Sequence, residues 1–304
     1  MTPTAPSTRQ TLSYLRNLFV ERGIKPKNKL GQNFLIDLNL LDLILRSAEL
    51  TREDLALEVG SGTGSLTVRL LEQSGAVVSI EIDPAFAALT DEEVKERDRV
   101  LLLHSDILKN KNELSPDVLR AVADLGQRCA TQRVKLVSNL PYAVAVPVIS
   151  NLLLCDLEVE RMVVTVQWEI AERLLASPGT KEYGALAVLV QSLADVELVR
   201  RLSPKVFWPR PLVDSAIVCI RPRAAKRRHV GDPSGFRAFL RDLYVHRRKN
   251  LRGALASLPN RDLSKSEVDA RLAELGLDGS VRAETLDREQ HLRLCERFGY
   301  TCKH

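Results

Sequence analysis

The chain has 304 residues, of which 45% are hydrophobic and 5% aromatic, the composition of a globular protein with room for one large domain and a smaller one. No apolar run approaches the ~18 residues of a membrane span, and the polar residues 1–10 lack the apolar segment of a secretory signal, so we expect a soluble, cytoplasmic protein. We also expect a monomer, although no feature of the sequence indicates the oligomeric state. Five scattered cysteines without CxxC spacing indicate reduced thiols and no metal site, and a net charge of +5 is too small to indicate a polyanionic partner by itself.

The first fifty residues combine a polar tail with two predicted helices. Residues 1–10 are rich in Pro, Thr and Ser and predict disorder, and residues 11–22 predict a short amphipathic helix. A basic loop over 25–29 leads into the segment Leu30-Gly-Gln-Asn-Phe-Leu35. Apolar residues then recur at helical spacing over 38–50.

From residue 55 onwards, short apolar strands alternate with helices. Such alternation is typical of a doubly wound parallel sheet, in which ligands bind at the carboxyl ends of the strands. We therefore predict a Rossmann-like α/β fold. The predicted strands cover 55–59, 76–82, 100–103, 134–137, 161–167, 195–202 and 215–221, and the predicted helices cover 65–73, 84–96, 146–154 and 168–177, with a polar, helix-prone insertion over 107–133.

The last quarter of the chain has a purely helical pattern. Helices predicted over 236–258, 264–275 and 287–298 have no strand between them, which indicates a small separate helical domain. We divide the chain into an N-terminal extension over 1–24, an α/β domain over 25–223 and a helical domain over 224–304.

A glycine-rich loop, Glu58-Val-Gly-Ser-Gly-Thr-Gly64, follows the first strand of the alternating pattern. Gly60 and Gly62 suit a tight turn and a close approach of the backbone to a ligand. The GxGxG spacing differs from the GxGxxG of pyrophosphate-binding loops, and the acidic Glu58 would oppose a pyrophosphate but suits an ammonium group. These features favour the methionyl end of S-adenosylmethionine, and a plain tight turn is the alternative.

Two further carboxylates close the next two strands. Glu81 ends the second strand, where a carboxylate can accept both ribose hydroxyls of an adenosine. Asp106 follows the third strand and can accept the amino group of the adenine. Each has a simpler interpretation alone, a solvated strand end for Glu81 and a helix cap for Asp106. Their occurrence at consecutive strand ends indicates a cofactor site.

The tetrapeptide Asn139-Leu-Pro-Tyr142 follows the fourth strand. The side-chain carbonyl of Asn139 can accept an N–H of an exocyclic amino group, and a main-chain carbonyl of Leu140 or Pro141 can accept the other. Pro141 restricts the backbone, and Tyr142 offers a flat face for a base, with a core tyrosine as its alternative. We therefore predict methyl transfer to an amino group of an unstacked nucleobase.

Basic residues are concentrated between positions 221 and 252, where 11 Lys and Arg accompany two Asp. Such a segment favours a phosphate backbone or another polyanion and would position RNA without reading its bases. The alternative is a solvated linker and a charged helix face. The residues predicted to contact RNA are Arg221, Arg223, Arg247, Arg248, Lys249 and Arg252.

The chain resembles the small-subunit ribosomal RNA adenine dimethyltransferase family, whose sister group modifies large-subunit rRNA. The resemblance runs from 25 to 252, and we expect it to continue through the C-terminal helices. It is carried by four segments: Leu30-Gly-Gln-Asn-Phe-Leu35, Glu58-Val-Gly-Ser-Gly62, Asn139-Leu-Pro-Tyr142 and Phe207-Trp-Pro-Arg-Pro-Leu-Val-Asp-Ser215. It implies a S-adenosylmethionine-dependent enzyme that dimethylates adenine N6, on two adjacent adenines, in the assembling small ribosomal subunit.

The resemblance also assigns roles to single residues. It implies that Asn33 and Leu35 contact the methionine end of the cofactor and that Asn139 lies between the cofactor and the target. It places Tyr142 on one face of the target adenine and Phe207 on the other.

The chain departs from the family pattern at Ala143, where Asn is usual, and at Leu212, where Lys is usual. We expect activity to be retained and RNA contacts to be altered. The alternatives are a large-subunit rRNA or DNA adenine methyltransferase and a non-catalytic ribosome-assembly factor, while the loop spacing disfavours a nicotinamide dehydrogenase. A decayed site should have lost some of Glu81, Asp106 and Asn139, so we favour the enzyme.

Overall fold

The structure is a computed structural model that describes residues 12–27, 30–259 and 263–299. The predicted disordered segment 1–10, the first residue of the helix predicted over 11–22 and part of the basic loop 25–29 lie outside the described residues. The chain forms two compact units. The first comprises the described residues up to Ala171 together with Glu197–Ile220, and the second comprises Glu172–Val196 and the described residues from Arg221 onwards.

The order of elements confirms the alternating pattern. Up to residue 139, the elements are α1 (Leu12–Glu21), β1 (Phe34–Leu35), α2 (Leu38–Ala48), β2 (Asp54–Val59), α3 (Ser65–Gln73), β3 (Ala76–Glu81), α4 (Pro84–Glu93), β4 (Val100–His104), β5 (Leu108–Asn110), β6 (Glu113–Leu114), α5 (Pro116–Arg128) and β7 (Arg133–Asn139). They continue with α6 (Ala145–Leu154), β8 (Val159–Gln167), α7 (Trp168–Leu175), α8 (Ala185–Leu193), β9 (Ala194–Leu202), β10 (Phe207–Trp208), β11 (Ser215–Pro222), α9 (Ala224–Val230), α10 (Pro233–Val245), α11 (Leu251–Leu255), α12 (Lys265–Leu275) and α13 (Arg288–Arg297).

A seven-stranded sheet with the order β4-β3-β2-β7-β8-β11-β9 organises the fold. Strands β4, β3, β2, β7 and β8 pair in parallel, whereas β11 is antiparallel to β8. The Rossmann-like α/β prediction is therefore confirmed, but the expectation of a wholly parallel sheet is corrected at β11. Two consecutive strands that pair in parallel need a crossover connection, usually a helix. Strand β11 lies between β8 and β9 in the sheet. The short segment that joins β9 to β11 holds only a 3₁₀ turn and β10, so it provides no helical crossover.

Local signals set the starts of the helices that follow strands. The side chain of Asp83 accepts the amide of Ala85, and Pro84 occupies the first turn of α4. Asp37 caps α2 in the same way by accepting the amide of Asn39. These caps end the extended segments that contain β1 and β3. They therefore fix the positions of the last residues of those two strands.

Helix α1 packs on an aromatic cluster beside the sheet. Phe19 lies edge-on to Phe34 and Phe86, with ring centroids 5.4 and 5.5 Å apart, and 5.1 Å from the ring of Trp208. Phe34 belongs to β1, which pairs with β10 through Trp208. Burial of these rings holds β1 and the residues before it in place.

A charged pair is buried between β2 and β7. Asp54 is fully buried and lies 3.0 Å from the ammonium of Lys135, which is 4% exposed, and 2.7 Å from Nε of Arg133. Burial alone would raise the pKa of Asp54, but hydrogen bonds from Lys135, Thr51 and Arg133 lower it below its usual value. The carboxylate is therefore ionised and paired.

The structure refines several predicted elements. The insertion over 107–133 contains the hairpin β5–β6 as well as α5, and helix α8 was not predicted. The helix predicted over 236–258 is two helices, because α10 ends at Val245 and Asn250 caps α11 by accepting the amide of Gly253. The second compact unit includes 172–196, which the sequence division assigned to the α/β domain. The functional boundaries at 24 and 223 stay a prediction.

Candidate active site

A cavity of about 240 Å³ lies at the carboxyl ends of β2, β3, β4 and β7. The strand order reverses here, because β3 and β7 flank β2 on opposite sides, and doubly wound sheets bind ligands at such a point. The predicted site residues that line the cavity are Asn33, Leu35, Glu58, Gly60, Gly62, Glu81, Asp106, Asn139 and Pro141.

The glycine loop passes close to two neighbouring segments. Gly60 and Gly62 have φ values of +83° and +57°, in the region that favours glycine. A Cβ at Gly60 would lie 2.9 Å from Cγ of Pro141, and a Cβ at Gly62 would lie 2.8 Å from Cε1 of Phe34. Both glycines are therefore required by the fold itself, independently of any ligand.

Glu81 ties the end of β3 to the glycine loop. Its Oε2 accepts the amide of Gly62 and its Oε1 accepts the amide of Asp83, both at 2.9 Å. Burial raises the pKa of Glu81, which is 8% exposed, and the two amide bonds partly offset the shift. A carboxylate oxygen can accept more than one hydrogen bond, so Glu81 can still accept hydroxyl groups of a ligand.

Glu58 is the most deeply buried acid of the cavity wall. It is 1% exposed, and its Oε2 accepts the hydroxyls of Thr67 at 2.5 Å and Ser79 at 2.6 Å. Burial raises its pKa to about 7, even though both hydroxyl bonds act in the opposite direction. Glu58 thus stabilises the fold through these hydroxyls, and recognition of an ammonium group by Glu58 stays a prediction.

The Asn139 side chain is held at both ends of its amide. Its Nδ2 donates to the main-chain oxygen of Asn33 at 2.8 Å, and its Oδ1 accepts the hydroxyl of Thr165. Asn33 directly precedes β1, whereas Asn139 ends β7 and Thr165 lies in β8. The contact brings two predicted site residues together across 106 positions of sequence.

Ser105 and Asp106 follow β4 at the far side of the cavity. Oδ1 of the exposed Asp106 accepts the amide of Leu108 at 2.9 Å, so the turn uses one of its oxygens. The hydroxyl oxygen of Ser105 is buried and has no hydrogen-bond partner in the part of the chain that is described. A buried hydroxyl without a partner is costly and suits a ligand that supplies one. Ser105 was not among the predicted site residues, because its only signal in the sequence is its position at a strand end.

Three predicted catalytic residues do not line the cavity. Leu140 is 1% exposed in the core, and Phe207 is 2% exposed and pairs with Leu35 between β10 and β1. Tyr142 is partly buried, and its hydroxyl lies 2.7 Å from the hydroxyl of Ser215. A role for Tyr142 and Phe207 on either side of a target base stays a prediction, and Phe207 would first have to become accessible.

The two departures from the family pattern are at the surface. Ala143 is exposed and lines the cavity beside Pro141, and Leu212 is fully exposed. Neither side chain contributes to the packing of the fold. This agrees with the expectation that the two departures alter contacts with RNA and leave the enzyme itself unchanged.

Part of the basic segment is neutralised within the second unit. Arg223, Arg247 and Arg252 form ion pairs with Asp195, Glu284 and Asp269, respectively. Arg248 and Lys249 are exposed, and Lys249 donates to the uncharged hydroxyl of Ser257 at 2.9 Å. Arg221 also has a partner within the chain. The charge available to an external anion is therefore smaller than the sequence count suggests.

The family model described as ribosomal RNA adenine dimethylase matches residues 23–299. This chain belongs to that family. It is 37% identical over 285 residues to the ribosomal RNA small subunit methyltransferase A of Pediococcus pentosaceus, covering 93% of each chain. It is also 37% identical over 273 residues to the protein of the same name from Clostridium botulinum, covering 90% of this chain and 94% of the relative.

Solved structures show the same fold. A dimethyladenosine transferase from Plasmodium falciparum has a TM-score of 0.68 at 24% identity, covering 85% of this chain and 94% of that one. The 23S rRNA methyltransferase ErmE has a TM-score of 0.59 at 26% identity, covering 88% of this chain and 99% of that one. Membership of the family makes the chain an enzyme that uses a methyl donor.

Membrane spans, metal sites and disulfides were not expected from the sequence. Among the described residues, no helix is long and apolar enough to cross a membrane, and no group of three or more His, Cys, Asp or Glu could hold a metal ion. Cys129, Cys155, Cys219 and Cys295 are free thiols, and Cys302 lies outside the described residues.

Proposed function

We propose that this protein transfers methyl groups from S-adenosylmethionine to the N6 amino groups of adenines in small-subunit ribosomal RNA, with two adjacent adenines each dimethylated during subunit assembly. The observation that carries the proposal is the Asn139 amide, held by Asn33 and Thr165 at the edge of an acidic cavity. Relatives named for methylation of small-subunit rRNA support the substrate. A ribosomal RNA substrate implies that the protein acts in the cytoplasm, and we expect it to be a monomer.

The polar groups of the cavity fit S-adenosylmethionine. Glu81 suits the ribose hydroxyls, Asp106 suits the adenine amino group, and the unpartnered hydroxyl of Ser105 lies beside it. Glu58 adds an acidic group to the cavity wall, which favours a cationic ligand. When bound, S-adenosylmethionine supplies a methyl group attached to a positively charged sulfur.

Asn139 would make the target amine nucleophilic. The lone pair of an adenine amino group is delocalised into the ring, so the nitrogen is a weak nucleophile. Oδ1 of Asn139 and a main-chain carbonyl of Leu140 or Pro141 would accept its two N–H groups and favour a tetrahedral nitrogen. Fixed carbonyl dipoles then stabilise the positive charge that develops on that nitrogen. The methylated nitrogen then releases one proton to solvent, and because such a nitrogen is strongly acidic, no strong general base is needed. Orientation of the amine supplies much of the acceleration.

RNA would be bound by basic side chains that have no acidic partner within the protein. Among the described residues, Arg248 and Lys249 form no ion pair with an acidic side chain, whereas Arg247 and Arg252 do. They would bind phosphates and position the RNA without reading its sequence. The target adenine must leave its stack, and Tyr142 would offset part of that cost by stacking.

Methyl transfer from labelled S-adenosylmethionine to undermethylated small ribosomal subunits tests the proposal. Large subunits and duplex DNA are assayed in parallel, and the adenosines of the digested product are analysed. Dimethyladenosine from the small subunit alone is the expected result. Label on large subunits or DNA would instead assign the protein to one of those substrates, and no label with cofactor bound would support a non-catalytic assembly factor.

Asn139→Ala separates chemistry from binding. We expect the turnover number to fall by at least about 100-fold, because a fixed dipole aimed at the reacting atom is lost, while cofactor affinity changes little. Asn139 is half-buried. Asn151→Ala is the control, because Asn151 is a buried asparagine whose Nδ2 likewise donates to a main-chain oxygen, that of Lys111, away from the cavity. Near-normal turnover of Asn139→Ala would refute the proposed role.

A further inference from the structure

We infer that Thr165 is a positioning residue for methyl transfer, whose hydroxyl holds the Asn139 amide with its carbonyl oxygen available to the target amine. The inference rests on the proposed function, and it concerns a residue with no role in the sequence motifs. Thr165 itself does not line the cavity. Its effect on the reaction would therefore pass through Asn139 alone.

The placement of Thr165 follows from the register of the sheet. Strands β7 and β8 pair in parallel, and Asn139 is opposite Thr165 at the carboxyl end of β7. Thr165 is fully buried, and its Oγ1 donates to Oδ1 of Asn139. Because β8 is an interior strand of the sheet, the hydroxyl is fixed by the backbone rather than by a mobile loop.

The two partners of the Asn139 amide act differently. The main-chain oxygen of Asn33 only accepts hydrogen bonds, so it selects the orientation in which Nδ2 faces it and Oδ1 faces Thr165. The Thr165 hydroxyl then restrains the oxygen end. An amide oxygen has two lone pairs, so one remains for an N–H of the substrate. Without the hydroxyl, only the nitrogen end would be held, and the terminal torsion of an asparagine side chain is broad.

The sequence around Thr165 shows that packing alone does not require a hydroxyl. Its neighbours in β8 are Met162, Val163, Val164 and Val166, and all of them are fully buried. Valine has nearly the same shape as threonine and suits a strand equally well. A buried hydroxyl costs free energy unless it is hydrogen-bonded, and the partner here is the side chain of Asn139.

Thr165→Val and Thr165→Ser test the inference against the full-length wild type. Thr165→Val should lower the turnover number on small subunits by about 10- to 100-fold, while KM and cofactor affinity change by less than about threefold. Thr165→Ser keeps the hydroxyl and should stay within about threefold of the wild-type turnover number. Ser74→Ala is the control for loss of a buried hydroxyl, because Ser74 is fully buried and donates to the main-chain oxygens of Leu70 and Ala76.

The outcomes distinguish this inference from the proposed function. Thr165→Val with a turnover number within about twofold of wild type would overturn the inference while the proposed function stands. Thr165→Ser as slow as Thr165→Val would overturn it too, because the hydroxyl would not be the cause. A loss of turnover in Thr165→Val matched by an equal loss in Ser74→Ala would also overturn it, because destabilisation of the fold would then explain both. A wild type that labels no small-subunit RNA would overturn both.

Discussion

Replacing Gly60 with alanine tests whether the glycine loop and the turn after Asn139 behave as one unit. Gly60 has a φ of +83°, and an added Cβ would lie 2.9 Å from Cγ and 3.0 Å from Cδ of Pro141. Ordinary contact begins at about 3.4 Å, so loop and turn must separate by about 0.5 Å. The proline ring is rigid, so the displacement would be passed to the neighbouring backbone and to Asn139.

Two costs add in this variant. The positive φ costs alanine about 1–2 kcal/mol, and the overlap with Pro141 costs about 1–3 kcal/mol in a well-packed interior. We therefore expect Gly60→Ala to lower the free energy of unfolding by about 2–5 kcal/mol. A misplacement of about 1 Å can cost 100-fold in rate, so a shift of half that size should lower kcat/KM by at least about tenfold.

Gly179→Ala is a close control, because Gly179 has the same φ of +83° and nothing lies within 4 Å of its added Cβ. Urea titration of both variants measures the free energy of unfolding, calorimetry measures cofactor affinity, and the subunit assay measures kcat/KM. Gly179→Ala should lose about 1–2 kcal/mol and keep its activity. Equal losses of stability in the two variants, with normal kcat/KM for Gly60→Ala, would refute the contact with Pro141 as a constraint on the site.

Three further variants have expected outcomes. Burial raises the pKa of Glu58 from its ordinary value of 4.5 to about 7, so between these values the folded state binds a proton that the unfolded state has lost. The wild type should therefore lose on the order of 3 kcal/mol of stability between pH 5 and pH 8, and Glu58→Gln should not. Asp54→Asn leaves the buried Lys135 with only the partly exposed Glu160, 3.4 Å away, as an acidic partner, and it should cost about 3–5 kcal/mol of unfolding free energy with turnover retained. Replacing both Arg248 and Lys249 with alanine should lower the slope of log RNA affinity against log salt by about 1.4 to 1.8.

Each of these has a result that contradicts it. Parallel pH–stability curves for wild type and Glu58→Gln would show that another group titrates. A stable Asp54→Asn variant would mean that the buried pair contributes no net stabilisation. Arg223→Ala is the control for the salt experiment, because Arg223 is paired with Asp195 at 2.6 Å. A slope change of about 0.7 to 0.9 for Arg223→Ala, the full contribution of one phosphate contact, would show that ion pairing inside the chain does not decide which arginines bind RNA.

Much of the site could be predicted because its residues stand at strand ends, which the sequence marks directly. Buried strands such as β2 and β3 are short apolar runs, and the residues that stop them, Gly60 and Asp83, are loop and cap formers. Parallel strands place their carboxyl ends at one edge, so Glu81, Asp106 and Asn139 had to come near one another.

The helical part was less predictable, because local patterns carry less information there. Helix α8 is apolar around most of its circumference and buried, so it lacks the polar face by which amphipathic helices are recognised. The charge of the basic segment was also overestimated, because Arg247 and Arg252 are paired with Glu284 and Asp269, acids that are distant in sequence.

The sequence by itself determined the alternation of strands and helices and the chemistry of the groups at their ends, because periodicity and residue type are local properties. Only the tertiary structure decided which of these groups touch. The contacts of Asn139 with Asn33 and Thr165, and of Gly60 with Pro141, depend on strand register and on the packing of β1 beside the sheet. Hydrogen bonds and van der Waals contacts act over a few ångströms, so they are set by folded geometry that no local pattern encodes.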